Sequence, residues 1–283
     1  MSSQTTYNDT PLHSATLISS ARITPADSRE EVLNLVFRTT DLGFDAKAGQ
    51  CIRVMAPGQF GNPHHIRFYS LADYNPAEDV TEFTLCVRRC FYIDEFSGEE
   101  YHGVASHYLC DLKPGEAIRF SGPAGHPFPI PADPSADILM IGMGTGIAPF
   151  RGLIKEIYAR HGGWKGKVRL YYGARSGLEM LYMNDENKDL AQYFDQQTFK
   201  AFQAVSPRPH FDVPIALDQA LEKNASEVLS MLQKPGTHVY LAGAQAMLGM
   251  IEKALTGISG SADAWKQCKA SLSADGRWSE VLY

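Results

Sequence analysis

The sequence of 283 residues predicts two domains, an antiparallel β-barrel over residues 1–134 and an α/β domain with a mostly parallel sheet over residues 135–283. Three observations predict this arrangement. Short β-like segments broken by Gly and Pro fill the first half, strands alternate with helices in the second, and a stretch with four prolines, residues 125–137, lies between them. Prolines at that density exclude a central strand or a helix interior, so the stretch marks the boundary.

Five segments of the first half have the length and spacing of barrel strands. They are residues 31–38, 50–56, 66–72, 82–89 and 116–121. Because short strands at regular spacing are typical of closed all-β folds, they predict an antiparallel barrel. We expect the first 15 residues to be mobile.

The second half alternates between two kinds of segment. The predicted strands are residues 138–142, 168–173, 200–205, 238–242 and 278–283, and the predicted helices are residues 148–160, 216–232 and 246–255. Alternation of this kind indicates an open, mostly parallel sheet with helices on both faces.

The charge balance narrows the class of partner. The chain has 26 Lys and Arg against 32 Asp and Glu, a formal charge of −6, which argues against a nucleic-acid-binding protein. The polar N-terminus lacks the features of a signal peptide, and no run of about 18 apolar residues occurs. We therefore expect a cytoplasmic protein that is not inserted in a membrane.

The five cysteines lack the clustering of a metal site. They stand at positions 51, 86, 90, 110 and 268. Neither a zinc site nor the ligand run of a ferredoxin has this spacing, so we expect no metal and no iron–sulfur centre in this chain. Cys86 and Cys90 share one face of a predicted strand, where packing is favoured over metal binding or a disulfide.

A glycine-rich turn joins the first strand of the second half to its helix. Gly142, Gly144 and Gly146 would let the backbone approach a pyrophosphate at the helix N-terminus, although such a turn can also serve tight packing. The spacing G-x-G-x-G differs from the usual G-x-G-x-x-G. The next strand ends in Ala174-Arg175 rather than in an acidic residue, which disfavours an ordinary NAD site.

A second motif lies on a predicted barrel strand. Arg67 and Ser70 can hold a phosphate and a flavin ring atom, and Tyr69 can offer its aromatic face to an isoalloxazine ring. An ordinary strand with one aromatic residue explains the same pattern equally well.

Taken together, the motifs resemble the plant-type ferredoxin–NADP(+) reductase family over almost the whole chain. Residues 67–70 resemble its flavin motif, residues 85–92 its next strand, and residues 103–115 its flavin-pyrophosphate loop and following helix. Residues 144–151 resemble its NADP pyrophosphate loop, and the chain ends, as that family does, in an aromatic residue shortly after a Trp. The resemblance implies an FAD-binding barrel followed by an NADP-binding α/β domain.

The resemblance assigns a flavin role to residues of the first half. Arg67, Tyr69 and Ser70 would bind the flavin, Arg88 would meet the FAD phosphates, and Tyr92 would stack on the adenine. The residues that would close over the pyrophosphate with backbone N–H groups and a hydroxyl are Gly103, Val104, Ala105 and Ser106.

The resemblance also assigns coenzyme contacts to the second half. The pyrophosphate loop would comprise Gly144, Thr145 and Gly146, and the remaining coenzyme contacts would be Ser206, Arg208, Gly243 and Met247. Met247 would pack beneath the nicotinamide-side loop, and packing in the core explains this residue equally well. Ser206 and Arg208 resemble the family's pair for the 2′-phosphate, with the Arg displaced by one residue. The Lys and Tyr that the family has about ten residues later are missing, yet the pair favours NADP over NAD.

Catalysis is assigned to Ser70, Glu280 and Tyr283. The resemblance places Tyr283 on the isoalloxazine face where the nicotinamide must dock, so its ring would have to move aside. Two positions depart from the family, which has Cys at Ala242 and Glu at Val281. Because strand side chains alternate, Glu280 should face away from Tyr283 unless a bulge intervenes.

The function that the resemblance implies is electron transfer between NADP(H) and a ferredoxin or flavodoxin through FAD. Acceptors of this kind are usually acidic, so a docking patch could comprise Arg22, Arg53, Arg88, Arg89 and Lys155. One alternative is an NADH-dependent reductase component of an oxygenase system. Another is a flavin-binding electron-transfer subunit without hydride transfer, suggested by Ala242 and Val281.

Overall fold

A computed structural model describes residues 11–47, 49–59, 61–125, 128–160, 162–194, 196–207 and 214–283. Contacts within the chain divide it into two compact units. The first comprises residues 1–22 and 30–127, and the second comprises residues 23–29 and 128–283. The short segment 23–29 thus belongs with the second unit, where the Asn184 side chain donates to the Ile23 carbonyl at 2.9 Å.

The first unit is a closed six-stranded barrel. Its strands and helix are β1 (Leu12–Arg22), β2 (Val32–Thr39), β3 (Cys51–Pro57), β4 (His64–Pro76), β5 (Thr81–Arg88), β6 (Phe91–Ile93), β7 (Glu100–His102), α1 (Val104–Asp111) and β8 (Ala117–Ala124). The barrel order is β1-β2-β5-β4-β3-β8, and every barrel pair is antiparallel. The predicted antiparallel barrel is therefore confirmed, and β6 and β7 form a separate hairpin between β5 and α1.

Aromatic rings fill the barrel interior. Phe44 lies 5.0 Å from Phe120 and 5.5 Å from Phe83, and Phe37 lies 5.6 Å from Phe83, measured between ring centroids. Each of these side chains is at most 2% exposed. Burial of each ring contributes roughly 1.5–3 kcal/mol to the stability of the unit.

Strand β1 was not predicted, and it overlaps the segment expected to be mobile. Leu12–Ala15 pair with Ser121–Ile118 of β8 and close the barrel. The expectation of mobility is therefore wrong for these four residues. The strand is weakly marked in sequence because its inward side chains include the polar His13 and the small Ala15, and because its register shifts between Leu17 and Ser19.

The second unit is a parallel sheet covered by helices. Its elements are β9 (Ile138–Met143), α2 (Ile147–Lys155), β10 (Val168–Ala174), β11 (Phe199–Val205), α3 (Leu217–Lys223), α4 (Ala225–Gln233), β12 (His238–Gly243), α5 (Met247–Ile258), α6 (Ala262–Ala274) and β13 (Trp278–Leu282). The sheet order is β11-β10-β9-β12-β13, with all neighbours parallel, as predicted. A π-helical turn, Glu156–Arg160, continues α2.

Side-chain alternation along the strands explains why both faces are covered. Leu139, Leu241 and neighbouring residues join one apolar cluster with side chains of α3, α4, α5 and α6. Tyr240 points the other way and stacks on Phe128 at 5.0 Å, which in turn stacks on Phe150 of α2 at 5.4 Å. The predicted apolar strand over residues 138–142 is thus buried on both faces.

The predicted helix over residues 216–232 is interrupted. Asn224 ends α3 and precedes α4 with φ −112° and ψ 23°, and its side-chain amide donates to the Ala220 carbonyl at 2.9 Å.

Helix α6 was not predicted because only Trp265 and Leu272 of its 13 residues are buried, which leaves a weak apolar pattern. None of the described helices has the length and apolar character that a membrane span requires.

Candidate functional site

Strands β4 and β5 of the closed barrel are paired along only part of their length, which leaves an opening between them at one end. The ladder joining these strands begins at Thr81 and Pro76 and ends at the pair Leu71 and Leu85. Within the described residues, the part of β4 before Leu71 pairs with β3 alone. The opening lies beside the segment predicted to hold the flavin, and α1 packs against β3, β4 and β5 next to it.

The three predicted flavin residues of β4 lie where this strand pairs with β3 and has no partner in β5. Arg67 is exposed, Tyr69 packs against the barrel core, and Ser70 contacts the thiol of Cys51 on β3 at 3.4 Å. Burial raises the pKa of Tyr69, so its phenol stays neutral, and burial also raises the pKa of the Cys51 thiol. The edge therefore presents one cation and neutral hydrogen-bonding groups, which suits a flavin ring and its chain.

Helix α1 begins at the end of the predicted pyrophosphate loop. Gly103 is its N-cap residue, and no side chain within the described residues caps the first-turn N–H groups. Uncapped N–H groups together with the helix dipole favour an anion. A Cβ at Gly103 would lie 2.7 Å from the Ser106 hydroxyl and 3.0 Å from the Cys90 carbonyl oxygen, so only glycine fits this close approach.

The Ser106 hydroxyl serves this loop in an unexpected way. It accepts a hydrogen bond from the Cys90 N–H at 3.1 Å and donates to the Gly103 carbonyl at 3.1 Å. These hydrogen bonds join the loop to the end of β5, and the contact of this hydroxyl with a pyrophosphate stays a prediction. The backbone N–H groups at the start of α1, the candidate anion site, are thus held in place by Ser106.

The β6–β7 hairpin carries exposed aromatic rings beside α1. Tyr92 is 56% exposed and stacks on Tyr101 at 5.4 Å, and Phe91 is 49% exposed. His107 of α1 stacks on His102 at 4.1 Å and donates from Nδ1 to the Gly103 carbonyl at 3.1 Å, and burial lowers its pKa. Exposed flat rings beside an anion site suit the adenine and the diphosphate of FAD, so the residues of the first unit fit this group.

Strand β9 lies at the centre of the parallel sheet of the second unit, with two strands on each side. The chain passes from β9 through β10 to β11 on one side, and β12 and β13 lie on the other. The boundary between β9 and β12 is therefore the point where the strand order reverses, which is where open α/β sheets bind nucleotides. The loops that follow β9 and β12 lie at this point.

The loop after β9 is built by close backbone contacts. A Cβ at Gly146 would lie 2.1 Å from the Ala242 carbonyl oxygen, and a Cβ at Gly142 would lie 2.8 Å from the Phe150 ring. Gly144 has φ +53°, in the left-handed region, and its carbonyl accepts a hydrogen bond from Tyr172 at 2.8 Å. These glycines bring the N-terminus of α2 against β12, so packing and coenzyme approach need the same residues.

Tyr283 reaches this loop. Its hydroxyl lies 2.7 Å from the Thr145 hydroxyl oxygen, and its backbone N–H donates to the Gly243 carbonyl at 3.1 Å. The C-terminal residue thus contacts the loops after β9 and β12 together.

Gly243 and Met247 follow β12. Gly243 has φ +147°, and a Cβ there would lie 2.8 Å from the sulfur of Met247. Met247 is 2% exposed and belongs to the apolar cluster of the unit. The Met247 side chain is therefore part of the core, and its sulfur packs beneath the Gly243 loop.

Glu280 lies away from Tyr283. The indole N–H of Trp278 donates to its carboxylate at 2.5 Å, and Lys269 of α6 lies 3.5 Å from it. These partners hold Glu280 toward α6, whereas the Tyr283 hydroxyl contacts Thr145. The Glu280 side chain thus faces away from that of Tyr283, as the alternation along the strand predicts, and its catalytic role stays a prediction.

The predicted 2′-phosphate pair is described in part. Ser206 is 4% exposed, and its N–H donates to the Arg175 carbonyl at 3.2 Å, whereas Arg208 lies outside the described residues. Arg175 is exposed and directly follows β10 at the same edge of the sheet. We did not predict it as a site residue, although a cation after a parallel strand at the carboxyl edge could have been recognised from the sequence.

Two of the predicted docking cations have acidic neighbours. Arg88 lies 3.3 Å from Glu30, and Arg89 lies 3.0 Å from Glu31 and 2.8 Å from Asp111. These pairs compensate both charges locally, so neither guanidinium is a fully available docking cation.

All five cysteines are free, with Cys86 buried in β5.

Comparison with protein-family models divides the chain at the same place as its fold. Residues 14–128 match the oxidoreductase FAD-binding domain, and residues 140–253 match the oxidoreductase NAD-binding domain. The two matches correspond to the barrel and to the parallel sheet.

Several relatives match nearly the whole chain. Ferredoxin–NADP reductase of Thermosynechococcus vestitus is 30% identical over 94% of this chain and 72% of its own length, and that of Spirulina sp. is 31% identical over 89% and 88%. The solved structure of ferredoxin–NADP+ reductase from Plasmodium falciparum superposes with a TM-score of 0.73 over 96% of both chains at 17% identity, a likeness of fold. The chain belongs to the ferredoxin–NADP reductase family.

Proposed function

We propose that the protein is an FAD-dependent reductase that transfers electrons between NADP(H) and a ferredoxin or flavodoxin. The observation that carries this proposal is the presence of two glycine turns at helix starts without a side-chain cap, Gly103 before α1 in the barrel unit and the 3-10 turn Gly144–Gly146 before α2 at the reversal point of the parallel sheet. Each suits a pyrophosphate. When bound, FAD would supply the exchange between two-electron chemistry with nicotinamide and one-electron chemistry with the protein acceptor.

The residues proposed to hold FAD all belong to the first unit. The first-turn N–H groups of Val104, Ala105 and Ser106 would bind its pyrophosphate, and Tyr92 would stack on its adenine. Arg67 and Arg88 would add positive charge, with Arg88 exchanging its contact with Glu30 for a phosphate. Tyr69 and Ser70 would orient the ring, supported by the neutral, partly buried edge that they form.

The residues proposed to hold the coenzyme belong to the second unit. The backbone of Gly144, Thr145 and Gly146 would bind its pyrophosphate. Ser206 and Arg208 would contact the 2′-phosphate, and Arg175 would join them, since its backbone carbonyl already accepts from Ser206. Two guanidinium groups at one phosphate favour NADP over NAD.

We place the protein in the cytoplasm. Cytosolic thiols stay reduced, and all five cysteines are free. The relatives' name supports ferredoxin as the acceptor.

The test is anaerobic stopped-flow mixing of the FAD-loaded protein with NADPH and, in parallel, with NADH, followed by flavin absorbance. Rapid bleaching by NADPH alone, with re-oxidation on addition of ferredoxin, is the expected result. Bleaching mainly by NADH would indicate the oxygenase-type reductase instead. Bound FAD that neither nucleotide reduces would contradict the reductase and indicate an electron-transfer subunit.

A further inference from the structure

Two adjacent tyrosines of β10 have hydroxyl groups with different surroundings. Tyr171 and Tyr172 are both 0% exposed, and as neighbours on a strand they point to opposite faces of the sheet. Tyr171 stacks on Phe202 at 4.5 Å, and its hydroxyl has no hydrogen-bond partner among the described residues. The Tyr172 hydroxyl instead donates to the Gly144 carbonyl at 2.8 Å. A buried donor is thus aimed at the turn that we propose for the coenzyme pyrophosphate.

The Gly144 carbonyl shares a peptide group with the Thr145 N–H. A trans peptide group is planar, so its C=O and N–H bonds point in opposite directions. Because the carbonyl of Gly144 points toward the Tyr172 hydroxyl, the N–H of Thr145 points away from it. This N–H stands at the start of a helical turn, where the first N–H groups have no acceptor within the helix. The Tyr172 hydroxyl therefore helps to fix the direction of one of the proposed phosphate donors.

The peptide group after Gly144 is one that needs such a hold. Gly144 has φ +53° and no side chain, so this peptide group can turn over at little steric cost. The Ile147 N–H also donates to the Gly144 carbonyl, but Ile147 directly follows the same turn. The Tyr172 hydroxyl comes from the sheet, so its hydrogen bond ties the orientation of the peptide group to β10.

We propose that Tyr172 is a positioning residue for the coenzyme. Its hydroxyl holds the peptide group between Gly144 and Thr145 in the orientation in which the Thr145 N–H can donate to the pyrophosphate. Tyr172 itself does not contact the coenzyme and acts through the Gly144 carbonyl. If part of the molecules has this peptide group turned over, the apparent affinity for a diphosphate falls in proportion to the fraction that remains competent. The inference rests on the proposed function, since it takes the turn to be the coenzyme pyrophosphate site.

The test uses the FAD-loaded protein and 2′-phospho-ADP-ribose, which has the coenzyme's diphosphate and lacks the nicotinamide. Tyr172→Phe keeps the buried ring and removes only the hydroxyl. We expect its dissociation constant for this ligand, measured by calorimetry, to rise about 2- to 10-fold, the range of one neutral hydrogen bond. Affinity for adenosine 2′-monophosphate, which has no diphosphate, should not change.

Tyr171→Phe is the matched control. It removes a buried hydroxyl from the adjacent residue of the same strand, and that hydroxyl has no partner among the described residues. We expect its dissociation constants for both ligands to equal those of the unmodified protein, and denaturant unfolding checks that both variants are folded. A merely structural role for Tyr172 would weaken binding of both ligands alike, because a general loosening of the unit also affects the contacts to the 2′-phosphate.

Two failures can be told apart. If the unmodified protein binds 2′-phospho-ADP-ribose but Tyr172→Phe binds it equally well, weakens both ligands alike, or has the same effect as Tyr171→Phe, the positioning role is overturned and the proposed function stands. If the unmodified protein does not bind this ligand, the proposed coenzyme site is overturned, and the positioning role with it.

Discussion

Single hydroxyl groups fix the geometry of both proposed anion sites. Ser106 joins the loop before α1 to the end of β5, and Thr145 contacts the C-terminal residue across the loop before α2. In each case the side chain shapes the site, and the backbone N–H groups remain for the ligand. Residue type alone could not show whether such a hydroxyl contacts the ligand or holds the loop, because a serine or threonine in a glycine-rich loop can do either.

Replacing Ser106 with Ala should weaken FAD binding. The change leaves the Cys90 N–H without its partner, which costs about 1–3 kcal/mol and loosens the proposed anion site, while the Gly103 carbonyl keeps its hydrogen bonds from His107. We expect faster FAD release, measured by flavin fluorescence. Ser261→Ala is the matched control, because it removes the N-cap bond of α6 at a cost of about 1 kcal/mol without touching the barrel. Equal FAD release from both variants would contradict the role of Ser106.

Replacing Arg175 with Gln should reduce the preference for NADPH. Loss of one charge-assisted contact to the 2′-phosphate should raise KM for NADPH about 10-fold and leave KM for NADH nearly unchanged. Steady-state kinetics with both coenzymes measures this. Lys167→Gln removes the same charge next to the opposite end of β10 and serves as the control. A parallel rise in KM for both coenzymes would rule out a contact specific to the 2′-phosphate.

At the scale of elements, the two proposed sites lie where the regular sheet pattern changes. The barrel ladder between β4 and β5 ends at Leu71 and Leu85, so the earlier part of β4 has no β5 partner and can contact a ligand. In the parallel sheet β9 and β12 stay paired, but the strand order reverses between them, so the chain leaves these two strands toward opposite sides of the sheet. Helices α1 and α2 follow the glycine turns at these two places.

The approach of α2 to β12 depends on Gly146. Because a Cβ there would lie 2.1 Å from the Ala242 carbonyl oxygen, Gly146→Ala must push the loop away from the sheet. We expect loss of coenzyme binding and about 1–3 kcal/mol of lost stability, measured by calorimetry and by denaturant unfolding. Gly249→Ala in α5 is the control: a Cβ there has open space, so it should stabilise the helix by about 0.5–1 kcal/mol. Unchanged coenzyme affinity of Gly146→Ala would refute the placement of the pyrophosphate.

For the whole molecule, each unit should respond to its own ligand. Addition of FAD should slow amide hydrogen exchange in α1 and in the β6–β7 hairpin, because bound phosphate occupies the first-turn N–H groups and the adenine covers Tyr92. NADP+ should slow exchange in residues 144–146. Mass spectrometry of peptic peptides measures both effects. Absence of FAD protection in α1 would mean that the flavin is held elsewhere.

The sequence by itself determined the fold class and the glycine turn that we propose for the coenzyme. Proline density, glycine spacing and alternation of apolar residues are local properties of a chain, so the barrel, the parallel sheet and the turn at Gly144 could be predicted, whereas the loop at Gly103 was identified only through the resemblance to the family. Elements with few buried side chains could not, which is why β1, the β6–β7 hairpin and α6 were missed.

Only the tertiary structure decided what several side chains do. Glu280 is turned toward Lys269, Ser106 is bonded to Cys90, Met247 is in the core, and Arg175 lies beside Ser206. Each of these contacts joins residues that are distant in sequence or on different strands. Their distances are set by packing of the whole unit, and a linear pattern carries no information about which hydrogen-bond partner a side chain meets.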